Sequence, residues 1–193
     1  FHAAVTAARA KLDPSPDRAG LAEQGTISML EITQAFGSLP TRNNRDVQFE
    51  GADKIDAAAM VARRRSDGRP NLITNRACFS CTIGCGRVSR MDPGHFAIKG
   101  NERYKQAAGG LEYESIYALG PMVGVDDIEA ATYANYICNE EGMDPISFGS
   151  TLAAAMELYD IGAITDADTG GLKLEFGSAE ALVKGVELAG LGE

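Results

Sequence analysis

The sequence predicts a mainly α fold, a multihelical domain with long loops and at most a short β hairpin. Three segments beyond residue 125 carry apolar residues at helical spacing, and each ends at a glycine. Residues 86–111 are instead rich in Gly, Arg and Lys without any period, which is typical of a loop. Hydrophobic residues make up 45% of the 193 positions, which is enough to bury a core. We therefore expect residues 1–193 to form a single, mostly helical domain.

Before residue 70 the helical patterns are short and are separated by turns. FHAAVTAARAKL is typical of an amphipathic helix, and TISMLEITQAF predicts a second helix that begins at Thr26 as N-cap and stops at Gly37. DKIDAAAMVARRR predicts a third helix, whose arginines at positions 63–65 would form a solvated last turn that suits the helix dipole. RPNLITNRA then continues the chain as an irregular segment.

The C-terminal third of the chain gives the clearest helical patterns. DDIEAATYANYICNEEG begins with acidic residues and stops at Gly142, and STLAAAMELYDIG carries an apolar stripe and stops at Gly162. SAEALVKGVELAG repeats this design near the end of the sequence. Between the last two helices, apolar and charged side chains alternate at positions 172–176, which predicts a short strand if a partner strand exists.

Charge and cysteine usage restrict the class of protein. The net charge of −9 argues against a nucleic-acid or anionic-membrane surface, and no apolar run approaches the roughly 18 residues of a membrane span. Four cysteines, three of them clustered, indicate a metal or redox site in a reducing compartment rather than a disulfide framework. We expect a cytoplasmic protein. Because the first residue, Phe1, already lies in a helical pattern, we also expect an internal piece of a longer polypeptide.

The segment RACFSCTIGCGR places Cys78, Cys81 and Cys85 within eight positions. Thiolates at this C-x2-C-x3-C spacing converge only where the backbone coils tightly, which Gly84 and Gly86 permit. We rank an iron–sulfur cluster with a distant fourth ligand first, structural zinc second and three free thiols third. Radical-SAM enzymes have the reverse spacing and do not match.

The fourth ligand of such a cluster has one candidate within the sequence. Cys138 is the candidate, because it is the one cysteine of the sequence outside the cluster, and it lies near the C-terminal end of a predicted helix.

Two further motifs carry polar residues that could build a site. In GGLEYESIYALG, Glu112 and Glu114 would share one face of an extended segment and could move a proton, or they could be two solvated glutamates. In NEEGMDPISFGST, Asn139, Gly142 and Asp144 could bind a heterocyclic ligand, or the motif could be a helix stop followed by a serine N-cap. The residues alone leave both alternatives open.

Five segments together resemble one family, the tungsten-containing aldehyde ferredoxin oxidoreductases, and they occur in the family's order. They are LPTRNNRDVQFEGADKI, NRACFSCTIGCGR, GGLEYESIYALG, ICNEEGMDPISFGSTLAAAMELYDIGAI and GGLKLEFGS. The resemblance extends from about residue 25 to the end of the sequence. It implies a fragment of a larger catalytic subunit that covers most of the first helical domain, without the N-terminal β-rich pterin domain and the C-terminal helical domain.

The resemblance also implies roles for the cysteine and glutamate positions. Cys78, Cys81 and Cys85 match three ligands of a four-iron four-sulfur cluster, whose fourth ligand and a catalytic histidine are expected beyond residue 193. Glu114 matches the family's carboxylate near the metal, with Glu112 as the fallback.

The NEEGMD motif matches pterin-contacting positions in the same family. Asn139, Gly142 and Asp144 fall on a D-x-x-G-L-D motif, with Asn139 in place of Asp and Met143 in place of Leu. An amide at position 139 can still bond a pterin edge, but it cannot supply charge.

The function implied by the resemblance is oxidation of small aldehydes to carboxylic acids at a tungsten bis-pyranopterin of the molybdopterin type. Electrons would pass through the 4Fe-4S cluster to ferredoxin or to an iron–sulfur electron-transfer subunit. The resemblance allows for a magnesium ion and for an oligomer, although no E-x-x-H pattern of the kind that joins subunits is present. The alternatives are the tungsten subunit of an aromatic acyl-CoA reductase and, from another class, a non-catalytic iron–sulfur or zinc module.

Overall fold

The computed structural model describes residues 1–100 and 107–192, and helices dominate this part of the chain, which confirms the predicted mainly α class. The helices within it are α1 His2–Leu12, α2 Pro16–Gln24, α3 Met29–Ala35, α4 Ala57–Val61, α5 Tyr113–Leu119, α6 Ile128–Glu141, α7 Pro145–Asp160 and α8 Ala179–Leu191. The strands are β1 Leu72–Arg76, β2 Gly86–Arg90 and β3 Ala107–Gly109.

The strands form one antiparallel sheet in the order β1-β2-β3. Arg76 pairs with Gly86 where β1 meets β2, and Val88 pairs with Gly109 between β2 and β3. The segment RPNLITNRA, predicted to be irregular, therefore contains β1, because pairing with β2, beyond residues 77–85, supplies hydrogen bonds that its own pattern does not reveal. The predicted loop 86–111 contains β2 and β3, and its residues 101–106 lie outside the described residues.

One continuous core joins the four C-terminal helices, where α6 packs against α8 and α5 packs against α7, to buried apolar residues between positions 27 and 98. Helix α6 is buried along most of its length, and the hydroxyl of its fully buried Tyr133 donates a hydrogen bond to Glu187 of α8 at 2.7 Å. Gly149 of α7 allows a close crossing with α5, because a Cβ there would collide with the backbone of Ala118. Within the described ranges, no helix combines the length and the apolarity needed to cross a membrane.

The helix ends follow the predicted signals in the C-terminal half more closely than in the N-terminal half. Gly142 ends α6 in the left-handed conformation, with φ of 72°. Helix α7 begins at Pro145 with Asp144 as its N-cap, and not with a serine cap. Thr26 does not cap a helix through its side chain, and a short 3-10 turn precedes α3. Residues 172–176 do not lie in a strand.

The arginine run after α4 differs from its prediction. Helix α4 ends at Val61, before the arginines, so they do not form its last turn. The side chain of Arg64 is only 11% exposed and makes ion pairs with Glu129 and Asp67, at 3.0 Å each. A long-range acidic partner, which no local pattern shows, draws this arginine into the protein.

Candidate functional site

The three clustered cysteines lie in the connection between β1 and β2, which we name the cysteine loop, residues 77–85. The N–H of Cys81 donates a hydrogen bond to the carbonyl oxygen of Cys78 at 3.0 Å, so the loop turns back on itself between these two residues. Ser80 and Gly84 adopt positive φ angles of 56° and 64°. The loop therefore coils tightly, as the cysteine spacing requires.

Within the loop, Cys81 has the environment of a thiolate. The N–H groups of Gly84 and Ile83 lower the pKa of the Cys81 thiol, and the Ile83 N–H lies 3.4 Å from its sulfur. Cys78 and Cys81 are exposed, and Cys85 is half-buried. A thiolate that is both exposed and hydrogen-bonded by backbone N–H groups is the form that binds metals and clusters.

Two arginines from the N-terminal helices hold the cysteine loop. Arg9 of α1 donates a hydrogen bond to the carbonyl oxygen of Ser80 at 3.3 Å. Arg18 of α2 donates one to the carbonyl oxygen of Thr82 at 2.9 Å. The loop is therefore bordered by positive charge in a chain whose net charge is −9.

The thiols of the cysteine loop could serve as ligands of a single metal ion or of an iron–sulfur cluster, and the two require different arrangements of the sulfur atoms. Among residues 1–100 and 107–192, no group of three or more His, Cys, Asp or Glu side chains lies close enough together to hold a metal ion. An iron–sulfur cluster attaches each thiolate to a different iron, so its ligands need not meet at one ion. Three thiols on a coiled loop, one of them biased toward the thiolate, fit the donor chemistry of such a cluster.

Cys138 has the opposite environment. It is fully buried in α6, and this burial, with a smaller contribution from Asp144, raises its pKa to about 11. A thiol held protonated in a helical core is a poor ligand, because ligation requires the thiolate. The structure thus gives no support to the nomination of Cys138 by cysteine counting.

The two glutamates of GGLEYESIYALG lie in different environments at the start of α5. Glu112 is the N-cap of α5 in a reciprocal capping box with Ser115, and its Oε2 accepts a hydrogen bond from the Thr26 hydroxyl. Glu114 lies one position into the helix beyond Tyr113 and is exposed. Its carboxylate has no hydrogen bond from the residues that the structure describes. Glu112 is therefore occupied by structural contacts, and Glu114 is the accessible carboxylate.

The NEEGMD residues form the turn between α6 and α7. Asp144 caps α7 by accepting hydrogen bonds from the backbone N–H and the hydroxyl of Ser147, at 2.9 and 2.5 Å, and these bonds lower its pKa. Asn139 and Gly142 are exposed. The helix stop is thus present, but the N-cap that follows it is Asp144 and not a serine, while the exposed polar groups remain accessible to a ligand.

A tyrosine that the sequence analysis missed brings the two acidic motifs together. Tyr117 is half-buried, and burial, followed by the negative charges of Glu114 and Asp144, raises its pKa. Its ring lies 5.5 Å from that of Tyr113, measured between centroids. The only sequence signal was the spacing, because Tyr117 follows Glu114 by three positions and so shares its side of the helix.

An arginine that the sequence analysis also missed lies between the cysteine loop and α5. Arg87 of β2 is buried two positions after Cys85, and its carbonyl oxygen accepts a hydrogen bond at 2.8 Å from the N–H of Gly110, just before α5. Burial lowers the pKa of Arg87, and the charges of Glu112 and Cys85 act in the opposite direction. The end of the cysteine loop and the residues that lead into α5 therefore lie next to each other at Arg87.

Comparison with known proteins gives a consistent set of relatives. A family model described as aldehyde ferredoxin oxidoreductase, domains 2 and 3, matches residues 3–193. The tungsten-containing aldehyde ferredoxin oxidoreductase of Pyrococcus abyssi is 40% identical over 166 residues, and that of Thermococcus kodakarensis is 38% identical over 164 residues. Each match covers 84% of this chain and 24% of the relative, so the chain spans about a quarter of their length.

A relative with a different name also matches, over a shorter stretch. The aliphatic sulfonate oxidoreductase, WOR-like subunit, of Pyrococcus furiosus is 30% identical over 108 residues. This match covers 56% of this chain and 16% of that protein.

Proposed function

Since the chain belongs to the aldehyde ferredoxin oxidoreductase family, we propose that it is part of a tungsten-pterin catalytic subunit that oxidises aldehydes to carboxylic acids. In this proposal electrons leave through a 4Fe-4S cluster to ferredoxin or to an iron–sulfur partner subunit. The substrate class, the electron path and the partner belong to the whole enzyme, of whose relatives the chain spans 24%.

The observation that carries this proposal is the adjacency of the cysteine loop and the start of α5. Arg87 follows Cys85 by two positions, and its carbonyl oxygen accepts a hydrogen bond at 2.8 Å from the N–H of Gly110, two residues before Glu112. A redox centre bound at the loop would therefore lie near Glu114, a carboxylate able to exchange protons. Two-electron oxidation of an aldehyde releases protons as well as electrons, so it needs both functions close together.

The roles proposed for the residues of this chain follow from their exposure and hydrogen bonds. When bound, the tungsten bis-pyranopterin supplies the two-electron redox chemistry. Glu114 is exposed and accepts the proton released at the substrate. Asn139 and Asp144 present an amide and a carboxylate to the polar edge of the pterin, and Gly142 allows the turn that exposes them.

In the same proposal, Cys78, Cys81 and Cys85 hold three irons of the cluster. The backbone N–H groups that face Cys81 stabilise its thiolate, and Arg9 and Arg18 hold the loop backbone in place. The magnesium ion, the oligomer, the cytoplasmic location and the single-domain boundary at residues 1–193 stay predictions.

The test of this proposal uses the full-length protein, produced anaerobically with tungsten. We expect about four irons with acid-labile sulfide and about one tungsten per subunit, together with aldehyde-dependent reduction of a viologen dye. Tungsten-replete protein without aldehyde-dependent dye reduction would contradict aldehyde oxidation. Stoichiometric zinc without tungsten would instead support the non-catalytic module.

The substrate range is tested in the same assay. The named relative that acts on aliphatic sulfonates makes such compounds the second substrate class to examine. An aromatic acyl-CoA thioester tests the reductase alternative, with a reduced dye as electron donor. We expect a small aldehyde to give the highest kcat/KM, because the longer and more identical matches are to the aldehyde enzymes.

A further inference from the structure

Arg87 is buried beside the cysteine loop, with 5% of its surface exposed, whereas Arg76 across the strand pair is exposed. Its Nη1 donates hydrogen bonds to the carbonyl oxygen of Glu23 at 2.9 Å and to Oδ1 of Asn75. Its Nε and Nη2 are buried without a hydrogen-bond partner among residues 1–100 and 107–192. Burying a guanidinium with unpaired N–H donors lowers the stability of the fold. The bonds to Glu23 in α2 and Asn75 in β1 do not by themselves account for this loss, which points to a further role for Arg87.

The surrounding backbone leaves room for this one side chain. Gly25 has φ of 68°, and a Cβ there would collide with the Arg87 guanidinium. A Cβ at Gly110 would collide with the Arg87 side chain near its own Cβ. With glycines packed against both its stem and its head, Arg87 is held in a single position.

The charges that face Arg87 belong to the candidate site. Burial lowers the pKa of Arg87, and the carboxylate of Glu112 and the sulfur of Cys85, two residues before it, offset part of this effect. A guanidinium remains charged at neutral pH. Because water screens a buried charge less than an exposed one, Arg87 acts on its neighbours more strongly than the exposed arginine at position 76 does.

We propose that Arg87 is a positioning residue whose fixed, buried charge raises the reduction potential of the cluster on the cysteine loop and ties that loop to the start of α5. This inference rests on the proposed function, because it requires the cluster. One-electron reduction adds a negative charge to the cluster and its thiolates. A fixed positive charge beside Cys85 therefore stabilises the reduced form more than the oxidised form.

The experiment measures the midpoint potential of the cluster by a redox titration monitored by electron paramagnetic resonance. It compares the full-length wild type with Arg87→Gln, which removes the charge, and with Arg87→Lys, which keeps the charge on a more flexible and more hydrated group. Arg76→Gln is the matched control, because it removes an exposed arginine from the same strand pair. We expect the potential to fall most in Arg87→Gln, less in Arg87→Lys and not measurably in Arg76→Gln.

The outcomes separate this inference from the proposed function. A wild type that contains no iron and sulfide overturns the proposed function and, with it, the role of Arg87. A wild type with its cluster and an Arg87→Gln variant of equal potential overturn the role of Arg87 alone. If Arg87→Gln holds no cluster, a second neutral variant, Arg87→Met, decides: a potential below that of Arg76→Gln supports the inference, and an equal potential overturns it.

Discussion

Thr26 and Glu112 are joined by a hydrogen bond of 2.5 Å from the threonine hydroxyl to Oε2 of the glutamate. The same hydroxyl oxygen accepts a hydrogen bond from the backbone N–H of Tyr113 at 3.0 Å. Glu112 is the N-cap of α5, so Thr26 ties a distant N-terminal turn to the helix that carries Glu114. The position of the accessible carboxylate thus depends on a residue 86 positions earlier in the chain.

Replacing Thr26 by Val should loosen the start of α5 while keeping the side-chain volume. The substitution removes a donor to Glu112 and an acceptor for Tyr113, for an expected local cost of about 1–2 kcal/mol. Hydrogen exchange of peptides covering α5 measures this as faster exchange of its first-turn amides. Thr33→Val is the control, because the Thr33 hydroxyl bonds only within its own helix region. Equal exchange in α5 for both variants would contradict the link.

Removing Glu129 should be among the most destabilising single changes in the described part of the chain. Its carboxylate accepts hydrogen bonds from Arg64 at 3.0 Å and from the backbone N–H of Asp92 at 2.7 Å. Breaking a buried ion pair by removing one partner costs about 3–5 kcal/mol when the other charge is left unpaired, and we expect the lower part of this range, because Arg64 keeps its ion pair with Asp67 while the Asp92 N–H loses its acceptor. Thermal unfolding of Glu129→Ala should therefore show a large loss of Tm.

The control for Glu129→Ala is the surface pair of the exposed Lys184 and the half-buried Glu187, which are 2.8 Å apart. Exposed pairs of this kind contribute about 0–1 kcal/mol, so Lys184→Gln should leave the Tm nearly unchanged. Similar Tm losses for the two variants would show that the Arg64 and Glu129 pair is not the buried structural contact that the geometry indicates.

The four cysteines should differ in their reactivity toward iodoacetamide in metal-free protein. Backbone N–H groups lower the pKa of Cys81, so its thiolate persists at pH values where an ordinary thiol is protonated. Burial raises the pKa of Cys138 to about 11, so it should stay unmodified near neutral pH until the protein unfolds. Mass spectrometry after timed labelling measures both rates. Labelling of Cys138 in the folded protein as fast as Cys81 would contradict their assigned environments.

Asp127 should make the stability depend on pH on the acidic side. Burial alone would raise its pKa, but hydrogen bonds from His95 at 3.0 Å and from the N–H groups of Ala130 and Glu129 lower it. A carboxyl with a depressed folded pKa stabilises the protein above its unfolded pKa, and this stability is lost as the pH falls through the folded value.

The measurement compares the Tm of the wild type with that of Asp127→Asn between pH 7 and pH 3. The asparagine keeps a capping oxygen for α6 but cannot titrate. We expect the wild type to be more stable near neutral pH and this advantage to shrink as the pH falls below about 3.9. An advantage that stays constant over the whole range would show that the Asp127 charge is not its source.

Local signals were sufficient to predict the C-terminal helices. Apolar spacing, acidic first turns and the stops at Gly142 and Gly162 act within one or two helical turns, so they can be recognised without knowledge of the rest of the fold. The start of α7 was placed too late, because Pro145 at the first helical position and Asp144 as cap extend the helix before its apolar stripe begins.

Long-range contacts account for what the sequence did not predict. The strand β1 forms only because β2 pairs with it, and Arg64 is buried only because Glu129 faces it. Likewise, the sequence shows Arg87 only as one more basic residue after the cysteine motif. Its packing against Gly25 and Gly110 is visible only in the structure. Each of these features depends on a partner outside the segment in question, so the pattern within that segment could not predict it.

The motifs of the candidate site could be predicted from the sequence, but the relative positions and the exposure of their side chains could not. The spacing alone left open whether Glu112 or Glu114 is the accessible carboxylate, and the fold separates them by making Glu112 a helix cap. The contribution of Tyr117 could not be predicted, because Glu114 and Asp144 approach it from two helices that are joined only in the folded chain.

Replacing Glu114 by Gln in the full-length enzyme should lower kcat for aldehyde oxidation by about 10²-fold or more, since a positioned acid–base group contributes that much. Its side chain is exposed, so folding and the metal content should stay unchanged. Glu112→Gln is the matched control, because its carboxylate serves Thr26 and the cap of α5, and its loss should lower the Tm more than kcat. If Glu112→Gln lost activity at full metal content while Glu114→Gln retained it, the two assignments would have to be exchanged, and the proton would then pass through the capping carboxylate beside Arg87.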